Sequence, residues 1–148
     1  MHLIAITFLI LAAQQAFASE IMEADIAYEK LTSGEIIILD IRSEREWKES
    51  GIAEGAFPIS MHEDGFGEKL GLIFSQFRPE QVALICATGG RTAHVTRILR
   101  RNGATGIIDI SEGMFGNGTN KGWIERGLPV VNFEQAQLNF DKVKADWK

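Results

Sequence analysis

A single cysteine, Cys86, stands in the stretch Leu84-Ile85-Cys86-Ala87-Thr88-Gly89-Gly90-Arg91-Thr92. The apolar run Val82 to Ile85 that leads into it reads as a strand buried on both faces. A helix is expected soon after, from about Thr92 to Arg101, ended by Asn102 and Gly103. In open α/β sheets the crevice at the carboxyl end of such a strand is the usual ligand site. Gly89 and Gly90 permit the positive φ with which successive amides turn inward as an anion-binding nest. The helix start adds unpaired N–H groups and a partial positive charge. Arg91 adds a full charge and a planar fork of donors. The same field favours the thiolate of Cys86, which is the nucleophilic form. The plain alternative is an inert core cysteine, since cysteine is among the most commonly buried residues.

Such a loop needs a rigid frame, and the flanking sequence supplies one. Ile21 to Leu31 has helical apolar spacing and is stopped by Thr32, Ser33 and Gly34. Ile36 to Leu39 is a second continuous apolar run, followed by Asp40, Ile41 and Arg42. Ser43 with Glu46 three residues on fits a capping box that opens a short helix. Phe57 to Ser60 reads as a strand that Pro58 confines to an edge. A helix carrying Leu70, Ile73, Phe74 and Phe77 follows, and Pro79 ends it. Ile107 to Ile110 is the last clear strand, with Val95, Ile98 and Leu99 as the apolar face of the helix before it. Phe133 to Trp147 is expected to be an extra helix packed on the outside. Alternation of this kind predicts an α/β domain with a mostly parallel central sheet flanked by helices.

The cysteine stretch resembles the active-site loop of the rhodanese-like domain family, with Cys-x-x-Gly-x-Arg-Ser/Thr matched at each fixed position. Leu39-Asp40-Ile41-Arg42 with Glu46-Trp47 is similar to that family's Asp-x-Arg…Glu-Tyr/Trp element. Gly51-Ile52-Ala53-Glu54-Gly55-Ala56 stands where many members have Gly-His-Ile-Pro-Gly-Ala, with Ile52 and Glu54 as departures. Glu112-Gly113-Met114 and Trp123 through Val130 resemble its closing element, lengthened by Asn117 to Asn120. The resemblance implies a three-layer rhodanese-like fold and a sulfurtransferase. In it, Cys86 carries the persulfide and the backbone of Ala87, Thr88, Gly89, Gly90, Arg91 and Thr92 cradles the substrate. Asp40 and Arg42 are then supports near the loop, and they could equally cap the next helix or pair with each other. The implied partners are a small anionic donor such as thiosulfate and a thiol or cyanide acceptor, including a protein thiol. No cofactor and no metal are implied. A sulfur carrier or redox partner without turnover is the main alternative. A cysteine phosphatase or arsenate reductase is a weaker one, because only four residues separate Cys86 from Arg91.

Composition agrees with one soluble domain in 148 residues, 45% hydrophobic and 24% charged. Twenty acidic residues against fifteen Lys and Arg give a formal charge of −5, which offers no bulk attraction to nucleic acid or anionic lipid. One cysteine excludes an internal disulfide and a Cys-rich zinc site. His62 and His94 lack ligand spacing and read as surface or packing residues. Trp47 and Trp123 read as core. Leu3 to Ala13 is an apolar run of signal-peptide length, and Ala16 and Ala18 form a small-residue cleavage site, although only His2 and the amino terminus supply positive charge. The expected organisation is a signal peptide over 1–18, a rhodanese-like domain over 19–131 and a helical extension over 132–148. The mature protein would be exported to the periplasm and not held by the membrane.

Overall fold

The structure, a computed structural model, describes residues 20–147. The expected signal peptide lies outside the described residues. Five strands form one parallel sheet in the order β1-β6-β5-β2-β4. They are β1 (Glu20–Ile21), β2 (Ile37–Asp40), β4 (Phe57–Pro58), β5 (Val82–Ile85) and β6 (Ile108–Asp109). Two further strands, β3 (Ile52–Ala53) and β7 (Val130–Val131), make a small antiparallel pair. The helices are α1 (Ala24–Thr32), α2 (Glu44–Ser50), α3 (Phe66–Gln76), α4 (Gly90–Arg101) and α5 (Phe133–Ala145).

The continuous apolar runs became the central strands for the expected reason. β2 and β5 are paired from Ile37↔Val82 to Asp40↔Ile85, and their side chains divide between two cores. Ile38, Ala83 and Ile85 face Ala24 and Ala27 of α1 together with Trp47 and Trp123. Leu39, Leu84 and Cys86 face α3 and α4 through Leu70, Ile73 and Val95. This is the three-layer arrangement. Both tryptophans are core residues. The capping box at α2 is formed, with Glu46 N–H donating to Ser43 Oγ and Ser43 N–H donating to Glu46 Oε2 at 2.9 Å. β4 ends the sheet, where Pro58 lacks no ladder bond.

Two helix starts and one helix face differ from the expectation. The helix expected from Ile21 starts only at Ala24. Glu20 and Ile21 instead pair with Ile108 and Asp109 as an edge strand, leaving Ile21 70% exposed. α4 begins at Gly90 rather than Thr92, because Gly89 at φ +92° is already its cap. Ile98, expected on the buried face of α4, is 44% exposed. The last segment does form a helix, and it is not peripheral. Asn132 caps α5 by accepting from Gln135 N–H at 2.8 Å. Its Ala136 joins one core and its Phe140 the other, so α5 wraps the β4 edge. Phe140 stacks on Phe57 at 4.7 Å.

Candidate active site

Cys86 is the residue at which β5 leaves the sheet. Its Sγ accepts the Gly89 N–H at 3.2 Å and lies 3.7 Å from Thr92 Oγ1. The sulfur therefore points into the loop, toward the start of α4, and the residue is only 1% exposed. It lies beneath the cradle formed by the loop rather than at the surface.

The loop holds this shape because its carbonyls are tied from behind. Met114 N–H donates to Cys86 O at 2.8 Å and Phe115 N–H donates to Ala87 O at 2.9 Å. With those oxygens tied to the segment behind, the Gly89 amide is turned to the sulfur. Among the described residues, no protein acceptor meets the N–H groups of Gly90, Arg91 and Thr92, the first turn of α4. These are the orphan donors that suit an anion. Gly89 has to be glycine here: a Cβ on it would stand 2.0 Å from Ser111 O. Gly113 meets the same limit from the bracing side, with Ala87 O only 2.4 Å from where its Cβ would be.

The structure places all the sequence-predicted loop residues, Cys86 to Thr92, around this cradle. Thr92 is fully buried, and its hydroxyl donates to Gly89 O at 3.0 Å, locking the turn. Arg91 is engaged rather than free. Its Nη2 donates to Glu46 Oε1 at 2.6 Å and its Nη1 to Glu46 Oε2 at 2.8 Å. Nη1 also lies 3.3 Å from His62 Nε2, which has to be the acceptor because a guanidinium only donates. The bond from Arg91 and those from Ser43 hold the Glu46 carboxylate far below its usual range, against a smaller opposing push from burial. Arg91 is held charged by the same bond first, against the opposing push of burial, and then by the nearby carboxylates of Glu46 and Asp40.

Asp40 and Arg42 sit at the end of β2, the strand paired with β5, where Asp40 is opposite Ile85, and both are completely buried. Arg42 grips Asp40 through Nε at 2.9 Å and Nη2 at 2.7 Å. Its remaining donors go to Ser50 Oγ and Gly51 O, each at 2.7 Å. The pair thus ties β2 to the far end of α2. Among the described residues, none of its side-chain hydrogen bonds reaches the cysteine loop.

Sequence reasoning passed over three groups near the loop as site members, of which His62, read as a surface or packing residue, lies against Arg91. Glu46 was visible as a capping residue and within the Glu46-Trp47 element, yet its hold on Arg91 was not. Asp109 was hidden inside the apolar run Ile107 to Ile110. It is 4% exposed, its Oδ1 has no partner, and burial pushes its carboxyl up while Thr92 opposes that shift. Among the described residues no cluster of His, Cys, Asp and Glu could hold a metal ion.

A parallel sheet flanked by helices, with a cysteine loop running from β5 into α4, defines a class of fold. The rhodanese-like domain model matches residues 23–117, and the chain belongs to that family. Solved structures agree with the assignment. The polysulfide-sulfur transferase homodimer of Wolinella succinogenes superposes with a TM-score of 0.56 at 24% identity, covering 77% of this chain and 79% of that one. A rhodanese-related protein of Thermoplasma volcanium gives 0.54 at 26%, covering 76% and 97%. Rv0390 of M. tuberculosis gives 0.59 at 21%, also covering 76% and 97%. No curated protein matches the chain. The scaffold is that of the rhodanese-like domains.

Proposed function

We propose that this chain is a sulfurtransferase that moves sulfane sulfur from a small anionic donor to a thiol or cyanide acceptor through a persulfide on Cys86. The observation that carries the reading is the Gly89 N–H directed at Cys86 Sγ at 3.2 Å, beside three first-turn amides that have no other acceptor. With thiosulfate, the Cys86 thiolate attacks the outer sulfur. The new S–S bond forms as the bond to the sulfonate sulfur breaks, and sulfite leaves with the bonding pair. The terminal persulfide sulfur then carries the negative charge, which the amides of Gly90, Arg91 and Thr92 are suited to hold. An acceptor thiolate or cyanide attacks that terminal sulfur, and Cys86 leaves as thiolate, ready for another cycle. Arg91, held by Glu46, supplies positive charge at the rim, while Asp40 and Arg42 support the frame.

A donor-loading step without turnover is the second reading. The near-complete burial of Cys86 favours it, because a covered sulfur is reached only by a slender acceptor. Export to the periplasm, from the apolar run Leu3 to Ala13 and the site at Ala18, belongs to the same proposal. Intact-mass measurement with and without thiosulfate tests it. One added sulfur, absent in Cys86→Ser, is expected, together with a mature amino terminus at Ser19. Steady-state assays with cyanide and dithiothreitol separate an enzyme from a carrier that loads once. An unchanged mass after donor treatment overturns the reading.

A further inference from the structure

Next to the cysteine loop, the surface between α3 and α4 departs from the rest of the molecule in both polarity and charge. A groove of about 290 Å³ runs there, walled by Met61, Phe66, Leu70, His94, Ile98 and Leu99 and almost wholly apolar. Ile98 lies in it 44% exposed, although an aliphatic side chain on an amphipathic helix normally faces the core. α4 carries Arg91, Arg97, Arg100 and Arg101 and no acidic residue, in a chain of net charge −5. Among the described residues only Arg91 of these four has an acidic partner. Arg100 and Arg101 also suit the carboxyl end of the helix dipole, but Arg97 stands too far from the end for that to explain it. Arg97 and Arg101 are one turn apart, and Ile98 and His94 share the adjoining stripe. An apolar furrow thus has a row of unpaired guanidinium groups along one bank.

We infer that this groove docks an amphipathic segment of an acidic protein partner, its apolar stripe against Ile98 and its carboxylates against Arg97 and Arg101. The inference rests on the sulfurtransferase reading for the role of that partner, which is the protein thiol that unloads Cys86. Position supports the role. α4 rises about 1.5 Å per residue, and His94 is one turn from Gly90, so a segment in the groove ends beside the cradle. Burial of Cys86 supports it too, since an acceptor thiol has to be delivered to the floor of the loop. Charge complementarity selects an acidic partner and disfavours a basic one. The apolar floor distinguishes the site from a simple anion-binding surface.

The test uses a labelled helical peptide with a leucine stripe flanked by glutamates, titrated into the protein and followed by fluorescence anisotropy. Its controls are the same peptide with lysines for glutamates, and vesicles rich in anionic lipid. Saturable binding of the acidic peptide is expected, weakening as salt rises. It should fall about tenfold or more in the double variant Arg97→Glu/Arg101→Glu and in Ile98→Asp, with unchanged circular dichroism. Equal binding of both peptides, binding of vesicles but not peptide, or no loss in the variants overturns the inference. A version of the peptide ending in cysteine should unload the persulfide with a higher kcat/KM than dithiothreitol does, and the variants should remove that advantage alone. Failure of dithiothreitol to unload the protein would count against the sulfurtransferase reading. The anisotropy result stands apart from that, because it needs no sulfur chemistry.

Discussion

Two carboxylate–guanidinium forks lie on either side of α2, and their difference separates frame from site. Asp40 and Arg42 are sealed from solvent and every nitrogen of the guanidinium group donates to a protein acceptor. Glu46 and Arg91 have nearly the same geometry but lie at the rim, each about a quarter exposed. The sealed pair connects neighbours in sequence and sets where β2 and α2 meet. The rim pair spans 45 residues and joins the cap of α2 to the first turn of α4 beside Cys86. Chemical similarity therefore does not imply similar roles: burial makes one pair a structural tie and leaves the other within reach of a substrate.

Breaking the sealed pair has the largest expected effect. Arg42→Ala leaves the Asp40 carboxylate buried and unpaired, which costs about 3–5 kcal/mol in denaturant unfolding. Replacing both residues by apolar ones should recover much of that loss. Gly89→Ala comes next. Its Cβ would meet Ser111 O at a φ of +92°, so about 1–3 kcal/mol of strain is expected, along with loss of sulfur loading on Cys86 by mass. Glu46→Gln breaks the rim pair and weakens the α2 cap, for about 1 kcal/mol. It also removes a negative charge from the approach to Cys86. Alkylation by anionic iodoacetate should therefore speed up several-fold relative to neutral iodoacetamide. The carboxylate of Glu46 is depressed in the folded chain. Its contribution is therefore present above its unfolded value near pH 4 and lost as pH falls, and Glu46→Gln should flatten acid unfolding.

Asp109 offers the smallest effect and the opposite sign. Its carboxyl is raised in the folded chain, so the protonated form is favoured there and stability erodes as pH rises through the folded value. Asp109→Asn should stabilise the protein at neutral pH by on the order of 1 kcal/mol. The gain should vanish below about pH 4, where the aspartate is protonated in both states. A gain that persists unchanged at low pH would mean that the cause is packing rather than charge.

What could be read in advance followed from signals confined to a few neighbouring residues. The runs into Asp40 and Cys86, the Ser43–Glu46 box and the glycines of the loop each declare themselves within one turn or one strand. β1, β3 and β7 have two residues each, too few to show a period. The Glu46–Arg91 contact and the brace from Met114 and Phe115 depend on distant segments meeting, which spacing along the chain does not encode. Ile98 obeyed the helical period of α4 yet stayed exposed, in the open groove it shares with Phe66 and Leu70 of α3. Asp109 shows the converse: an apolar neighbourhood in sequence conceals a polar group in the core.

The way α5 lies along β4 has a consequence for the behaviour of the protein in concentrated solution. A terminal strand with free amides and carbonyls is a template on which another chain can add, and fibrous assembly often begins there. Here that border is two residues long, interrupted by Pro58, and overlaid by a helix anchored through Phe140 on Phe57. Self-association by strand addition is thereby denied a starting point on that side, whatever partners the opposite face recruits.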